Sequence, residues 1–323
     1  MRSDVLELLR EAGGYISGEK MAERLGVTRA AVWKKIAALR DAGYDISSAP
    51  RSGYILRSAP DRLIEPEIAK GLGTELVGRK IICYDAVGST NLLLKDMARQ
   101  GAENGTVVVA DTQGMGRGRM ERAFFSPPGK GIYVSILLRP NFLPQDAPKC
   151  TLMAAVAVAR AMEKFGLRAA IKWPNDIMHD GRKMVGILTE MSAEMDCVNY
   201  VVIGIGINVN IASEDFPEEL RPIATSLMQM KGEPLPRVAF LQELLRALDA
   251  LYACAQQEGF APVLAAWREY AVTLGQQVRV IGPAGESFEG MAADIDAEGA
   301  LLIDTSTGRR RVLAGDVSIR SKE

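Results

Sequence analysis

At 323 residues the chain exceeds a usual single domain, and 48% hydrophobic content supplies a sizeable core, so two or three domains are expected. A formal net charge of -1 excludes a polyelectrolyte that coats nucleic acid over its whole surface, and a single histidine, His179, excludes a multi-histidine metal site and is expected at the surface. Cys83, Cys150, Cys197 and Cys254 are scattered without a C-x-x-C pair, and no apolar run of about 18 residues occurs; a reducing, cytoplasmic compartment, buried cysteines and no membrane partner are expected.

The N-terminal segment is the basic part of the chain. Residues 1–57 hold ten Lys and Arg against seven Asp and Glu, a balance of +3 that leaves -4 for the remainder. Val5, Leu6, Leu8 and Leu9 mark a short amphipathic helix stopped by Gly13-Gly14, and "SGEKMAERLG" marks a second closed by Gly26. A third begins at the N-cap Thr28, carries a core stripe of Val32, Ile36 and Leu39, and ends at Gly43. Two helices around a short turn, the second basic near its start, form a helix-turn-helix, and "YDISSAPRSGYIL" adds a two-stranded wing with Arg51 at its tip. Thr28, Arg29, Trp33, Lys34 and Arg51 are therefore the candidate DNA contacts. The alternative is a helical interaction module whose charged faces are merely solvated. "RSAPDRLIEP" breaks the periodicity, and residues 58–66 read as a linker.

From Ile81 onward, apolar segments alternate with turn signals: "IICYDAV", "GTVVVAD", "GIYVSILL", "AAIKWPND", "KMVGILTEM" and "NYVVIGIGINVNI", with helices over Asn91 to Arg99 and Leu152 to Phe165. The pattern is mixed α+β, without the regular alternation of a doubly wound sheet and without repeats.

"GMGRGRMERAF", Gly114 to Phe124, matches neither nucleotide fingerprint. Its glycines permit a backbone that turns N–H groups toward an anion, with Arg117 and Arg119 adding forked donors; by itself the loop is equally an ordinary basic hairpin. "IKWPNDIMHDGRKMVGIL" places Lys172, Asn175 and Asp176 at a strand end, and an Asp180-Gly181 turn brings Lys183 back beside them. Two lysines, an amide and a carboxylate among apolar strands argue for a site. In "VVIGIGINVN", Gly204, Gly206 and Asn208 share one strand face that a flat ligand or another backbone could approach. Ser89 and Thr90 in "VGSTN" either cap the next helix or read a ligand's polar head.

In this order and spacing the motifs resemble the biotin protein ligases, specifically the bifunctional ligase and biotin-operon repressor type, over nearly the whole chain. The resemblance implies a multidomain α+β protein: winged helix-turn-helix over 1–57, catalytic domain over 67–269, and a small SH3-like β-barrel over 270–323, where "VRVI", "FEGMAADI", "ALLIDT" and "RRVLAGDVSIR" read as four strands. It implies that biotin and Mg-ATP give biotinyl-5′-AMP and pyrophosphate, and that a lysine of the biotin carboxyl carrier protein of acetyl-CoA carboxylase displaces AMP. It further implies operator DNA as partner, the adenylate as corepressor, and a homodimer when the adenylate is bound.

Carried onto this chain, Ser89, Thr90, Asn91 and Gln113 correspond to biotin-head contacts, and Gly116, Arg117, Gly118 and Arg119 to the loop closing over biotin and adenylate. Lys183 corresponds to the residue holding carboxylate and phosphate, with Gly186 and Gly204 lining biotin. Lys172, Asn175 and Asp176 correspond to the group ordering phosphates and Mg²⁺, beside Arg119, and Gly204, Gly206 and Asn208 to the nucleotide side. Arg117, Arg119, Lys172, Asp176 and Lys183 form the catalytic set, Asp176 being the candidate base for the acceptor lysine. Glu121 and Phe124 depart from the family loop, where a glycine and a tryptophan are usual. Arg309 to Arg311 either meet the acceptor or ATP or form a solvated hairpin. The rival readings are a lipoate or octanoate transferase, which shares the fold, and a biotin-sensing repressor without catalysis.

Overall fold

A computed structural model describes residues 5–118, 122–282, 286–314 and 318–321 and divides the chain into two compact units, Met1–Asp61 and Arg62–Glu323. In the first unit, α1 (Val5–Ala12), α2 (Gly18–Leu25) and α3 (Arg29–Asp41) follow the local signals. The Ser17 hydroxyl accepts the Lys20 N–H at 3.1 Å, Gly26 closes α2 at φ 65°, and the Thr28 hydroxyl accepts the Ala31 N–H at 3.1 Å. Val32 and Ile36 are buried, whereas Leu39 lies only half in the core. Strands β1 (Asp45–Ala49) and β2 (Gly53–Ser58) pair antiparallel around Arg51, whose φ of 64° puts a non-glycine residue at the left-handed tip. Ile16 and Tyr54 exchange two N–H···O bonds of 2.9 Å, and a Cβ on Gly53 would stand 2.1 Å from the Ile16 oxygen, so the wing is fastened to the α1–α2 connection. Arg40 lies outside the α3 core stripe and donates to the Ile46 carbonyl at 2.8 and 2.6 Å, which ties α3 to β1.

The second unit begins inside the stretch read as a linker. Leu63 is buried in its core, and α4 (Glu65–Ala69) follows with Ile68 buried. The central elements are β3 (Lys80–Val87), α5 (Thr90–Arg99), β4 (Thr106–Gln113), β5 (Gly131–Leu138), α6 (Lys149–Lys164), β6 (Ala170–Lys172), β7 (Asp176–His179), β8 (Arg182–Ala193), β9 (Val198–Asn208), α7 (Leu227–Lys231), α8 (Arg237–Glu258) and α9 (Ala261–Tyr270). The seven strands order as β3-β4-β5-β9-β8-β7-β6, with only β3 and β4 parallel. The β7–β8 turn is Asp180-Gly181, at φ 48° and 73°.

Alternation decides which face is which. Val107, Val109, Ile132, Val134, Ile136, Val185, Ile203, Ile205 and Ile207 belong to one apolar core with the buried faces of α6, α8 and α9. On the other face α5 covers Val108, Leu137 and Val202 with Leu94 and Ala98, and glycines occupy the rows beyond it. That half-covered face is where the site forms.

Strands β10 (Gln277–Ile281), β11 (Ser287–Ile295), β12 (Leu301–Thr305), β13 (Gly308–Val312) and β14 (Ser318–Ser321) make an antiparallel sheet ordered β13-β12-β11-β10-β14. The segment read as one last strand thus supplies two, at opposite edges of the sheet, because β14 pairs with β10 and not with its sequence neighbour. This sheet packs within the second unit. Trp173 donates its main-chain N–H to Thr273 Oγ1 at 2.9 Å and its indole N–H to the Gly299 carbonyl at 3.1 Å.

Among the described residues no helix is long and apolar enough to cross a membrane. Cys150 is buried and Cys83 and Cys254 are half-buried, but Cys197 is exposed, so the expectation of four buried cysteines fails at the β8–β9 turn. His179 is half-buried rather than superficial, its Nε2 3.4 Å from Asp180.

Candidate functional site

The floor is built by strand register. Tyr133, Gly206, Gly186, Asp176 and Lys172 form one cross-strand row, and Ser135, Gly204 and Leu188 form the next row on the same face. The glycines are required by what lies over them. A Cβ on Gly204 would come 2.1 Å from Asn91 Oδ1, and one on Gly206 would come 2.6 Å from the Phe124 ring. The bare strand face is therefore filled by two side chains of this chain, one from α5 and one from the glycine-arginine loop.

Over Gly204, α5 delivers a buried polar cluster. The Thr90 N–H donates to Gln113 Oε1 at 2.9 Å, and Thr90 Oγ1 is 3.1 Å from the same oxygen. The Ser135 hydroxyl lies 2.8 Å from Thr90 Oγ1 and 2.6 Å from Asn91 Oδ1. Asn91 Nδ2 donates to the Leu188 carbonyl at 3.2 Å and to Glu190 Oε2 at 3.0 Å, and Lys95 Nζ donates to Glu190 Oε1 at 2.6 Å. These donations orient both amides, leaving their oxygens toward the hydroxyls. Two hydroxyl protons, on Thr90 and Ser135, then serve three oxygen–oxygen contacts, so the cluster holds more acceptors than donors among the described residues. Ser89 caps α5 loosely, 3.5 Å from the Leu92 N–H.

Ser135, Lys95 and Glu190 were not singled out from sequence. Ser135 carries a signal, being the one hydroxyl of "GIYVSILL" without a ring; Lys95 and Glu190 look like ordinary charges until the fold pairs them.

The glycine-arginine loop is a small hairpin. Phe124 N–H donates to the Gly116 carbonyl at 2.9 Å and Gly118 N–H to the Arg122 carbonyl at 2.7 Å, while Gly114 and Met115 donate to Val87 and Gly88 at 2.9 and 2.7 Å. The expected N–H cradle for an anion is thus not formed by Gly114, Met115 or Gly118, whose N–H groups are engaged within the chain. None of Gly114, Gly116 and Gly118 has positive φ, and Gly116 is needed for close approach, since a Cβ there would lie 2.8 Å from the Phe124 carbonyl. Arg117 lines the pocket; Arg119 and Glu121 lie outside the described residues. The root is held by Asp111, which accepts Arg237 Nη1 and the Gly129 N–H at 2.8 Å each, and by the Thr112 hydroxyl, which donates to the Ser126 carbonyl at 2.6 Å.

At the far end of the floor Lys183 Nζ meets Asp176 Oδ1 at 2.7 Å. The pocket, of about 40 Å³, is lined by Ser89, Thr90, Asn91, Gln113, Arg117, Gly118, Phe124, Asn175, Lys183, Gly186, Gly204 and Gly206 among others. This is far below the roughly 300 Å³ of an ordinary small-molecule site, because Phe124 lies on the Gly186–Gly206 pair. Two expected members stand apart. Lys172 shares the face with Asp176 but lines a separate cavity of about 280 Å³ with Asp180, Thr273 and Gln276. Asn208 is buried and donates Nδ2 to the Thr225 carbonyl at 3.0 Å, while its Oδ1 and Thr225 Oγ1 are buried with no hydrogen-bond partner among the described residues. Asn175 Nδ2 donates to the Ile187 carbonyl at 2.8 Å, and no cluster of three or more His, Cys, Asp or Glu that could hold a metal occurs among the described residues.

In the N-terminal unit, Arg29, Trp33 and Arg51 line one groove of about 690 Å³ between α2, α3 and the wing. Lys34 is exposed beside it, and the Thr28 oxygen is engaged as the helix cap.

Residues 84–208 match the model of the biotin/lipoate A/B protein ligase family, residues 2–55 that of an HTH domain, and residues 273–320 that of a biotin protein ligase C-terminal domain. The bifunctional ligase/repressor BirA of Bacillus spizizenii is 44% identical over 321 residues, covering 99% of this chain and 98% of the relative. The protein of the same name from Escherichia coli is 33% identical over 312 residues, covering 96% and 95%. The structure of the Aquifex aeolicus biotin protein ligase in complex with biotin and ATP is similar at TM-score 0.66 and 28% identity, over 76% of this chain and all of that one. With full-length identity on this scale, an HTH unit in front and the polar site on the central sheet, the chain belongs to the biotin protein ligase family, in its bifunctional ligase/repressor branch.

Proposed function

We propose that this protein activates biotin with ATP to biotinyl-5′-AMP, transfers biotin to an acceptor lysine, and represses transcription through its N-terminal unit. The observation that carries the substrate is the acceptor-rich cluster of Thr90, Asn91, Gln113 and Ser135. A ureido ring brings two N–H donors to such a cluster; the dithiolane of lipoate brings none. Burying a mismatched polar group costs about 1–3 kcal/mol, enough to favour biotin over lipoate by one to two orders of magnitude.

In the first half-reaction the biotin carboxylate oxygen attacks the α-phosphorus and the bond to the leaving pyrophosphate breaks. Lys183, whose ammonium Asp176 holds at the far end of the floor, is the cation that would bring carboxylate and phosphate together. In the second, the neutral acceptor amine attacks the carbonyl of the mixed anhydride, the bond to AMP breaks and AMP leaves, and the nitrogen gives its proton to solvent water. Arg117 and Gly118, which line the pocket, would cover the intermediate, a role the resemblance extends to Arg119. Asn175 donates its Nδ2 to the Ile187 carbonyl and Asp176 Oδ1 meets Lys183, so Asn175 Oδ1 and Asp176 Oδ2 are the oxygen donors that would meet the Mg²⁺ of a Mg-ATP substrate.

The finer reading has the biotin carboxyl carrier protein of acetyl-CoA carboxylase as acceptor, a cytoplasmic location, and the adenylate as corepressor that promotes a DNA-binding homodimer. Biotin-dependent exchange of labelled pyrophosphate into ATP tests the enzyme. Exchange with biotin and not with lipoate is expected; the reverse preference overturns the substrate, and tight biotin binding without exchange leaves a sensor.

A further inference from the structure

The N-terminal unit has an unusual chemical gap. Residues 1–61 contain no asparagine and no glutamine, the two side chains that recognise adenine by a paired hydrogen bond. Helix α3, "RAAVWKKIAALRD", also lacks serine, threonine and glutamate. What its first two turns present instead is Arg29, Ala30, Ala31, Trp33 and Lys34, all exposed. Trp33 is 61% exposed, a large apolar ring turned to solvent on the helix face that also carries Arg29 and Lys34. Ala30 and Trp33 stand one turn apart and line the groove that also contains Arg29 and the wing residues Ser48, Ala49, Pro50 and Arg51. The wing is fastened to Ile16, so this arrangement is a fixed shape. Glu19 lines the α2 side of the same groove; on the α3 and wing side an apolar stripe edged by cations suits a duplex, whose phosphates meet Arg29, Lys34 and Arg51 while its groove floor meets carbon.

In the major groove an A·T pair offers three marks: the adenine N6/N7 edge, the thymine O4 and the thymine C5-methyl group. With asparagine and glutamine absent, the paired contact to the adenine edge is lost, and the methyl group is the mark an alanine–tryptophan stripe can read. Resting on the repressor reading above, we propose that Ala30 and Trp33 read thymine methyl groups, making Trp33 the specificity-determining residue for A·T pairs in the operator. Arg29, Lys34 and Arg51 then set affinity more than sequence.

The test places the perturbation in the DNA, so the intact protein is used. A duplex enriched from random-sequence DNA by the full chain with biotin and ATP is remade with deoxyuridine at each thymine in turn, which removes only the methyl group. Binding is followed by fluorescence anisotropy. We expect a loss of about fourfold per critical methyl, the worth of one buried methyl group, at one or two positions in each half-site. In Trp33→Ala the deoxyuridine penalty at those positions should vanish, whereas Arg51→Ala should weaken all duplexes alike and keep the penalty. Enriched DNA bound equally well with every thymine replaced would overturn the assignment of Trp33 and leave the repressor intact. Failure to enrich any sequence over random DNA would overturn both.

Discussion

Replacing Gly204 with alanine perturbs the biotin-head site from beneath, without removing any polar group. The new Cβ would sit 2.1 Å from Asn91 Oδ1, where about 3 Å is the shortest separation real Cβ atoms tolerate, so the amide must move by about 1 Å. That shift breaks the 2.6 Å contact with Ser135 and misaligns the bonds to Glu190 and Leu188. Two such bonds at about 0.5–1.5 kcal/mol each amount to about 1–3 kcal/mol, or roughly a 5- to 150-fold rise in the KM for biotin. Biotin-dependent pyrophosphate exchange, run as separate biotin and ATP titrations, reads the effect, and the KM for ATP should stay within about twofold. A double-mutant cycle removes ambiguity: if the damage passes through Asn91, Gly204→Ala adds nothing on top of Asn91→Ala. A Gly204→Ala enzyme with unchanged biotin KM, or an effect fully additive with Asn91→Ala, would refute the reasoning. Gly206→Ala is the contrast, because the group above it is the Phe124 ring of the loop hairpin rather than the polar cluster, so adenylate retention should suffer before biotin selection does.

Three further outcomes follow from the same geometry. Lys183→Met removes the cation held by Asp176 and should lower exchange by about 10²- to 10³-fold, measured at saturating biotin and ATP; retention of near-normal rates would move the carboxylate-holding role elsewhere. Asp111→Ala removes the carboxylate that accepts from the buried Arg237 and from the Gly129 N–H, so urea denaturation should show a loss of about 1.5–3 kcal/mol, the worth of a hydrogen bond to a charged group, and the adenylate should dissociate faster as the hairpin root loosens. Burial pushes the Cys83 and Cys150 thiols up to about 12, with Glu65 and Asp146 respectively adding to the shift, so both stay neutral near pH 8. Cys197 is the exposed one of the four and should react first with a disulfide reagent, Cys83 and Cys150 only on unfolding. The sign for stability follows: between the ordinary thiol value of 9.0 and about 12 the unfolded chain ionises while the native one does not, so stability falls as pH rises through that window.

Features set by a few neighbouring residues were legible from sequence. The Thr28 cap, the Gly26 stop, the Asp180-Gly181 turn and the alternating strands are short-range matters of hydrogen-bonding partners, φ and burial period. The amino-acid order also placed Ser89, Thr90, Asn91, Gln113 and Lys183 in one site, because the resemblance carried their spacing. Where glycines were read as conformational freedom, the reading was only partly right: Gly181 needs its positive φ, but Gly116, Gly204 and Gly206 serve close approach by atoms 8 to 113 positions away in the chain.

Those approaches depend on the register of β5, β8 and β9 and on the angle at which α5 crosses them, which no local preference encodes. Only packing could pair Lys95 with Glu190, turn the Asn91 amide so that its oxygen faces Ser135, and leave the cluster short of donors. Only packing could direct Lys172 into a cavity beside the C-terminal sheet although it lies in the same strand row as Asp176. By itself, then, the sequence determined the elements, their caps and the family of the chemistry; the tertiary structure decided which side chains share protons and which share a cavity, because those relations are made between strands and helices that are neighbours in space and not along the chain.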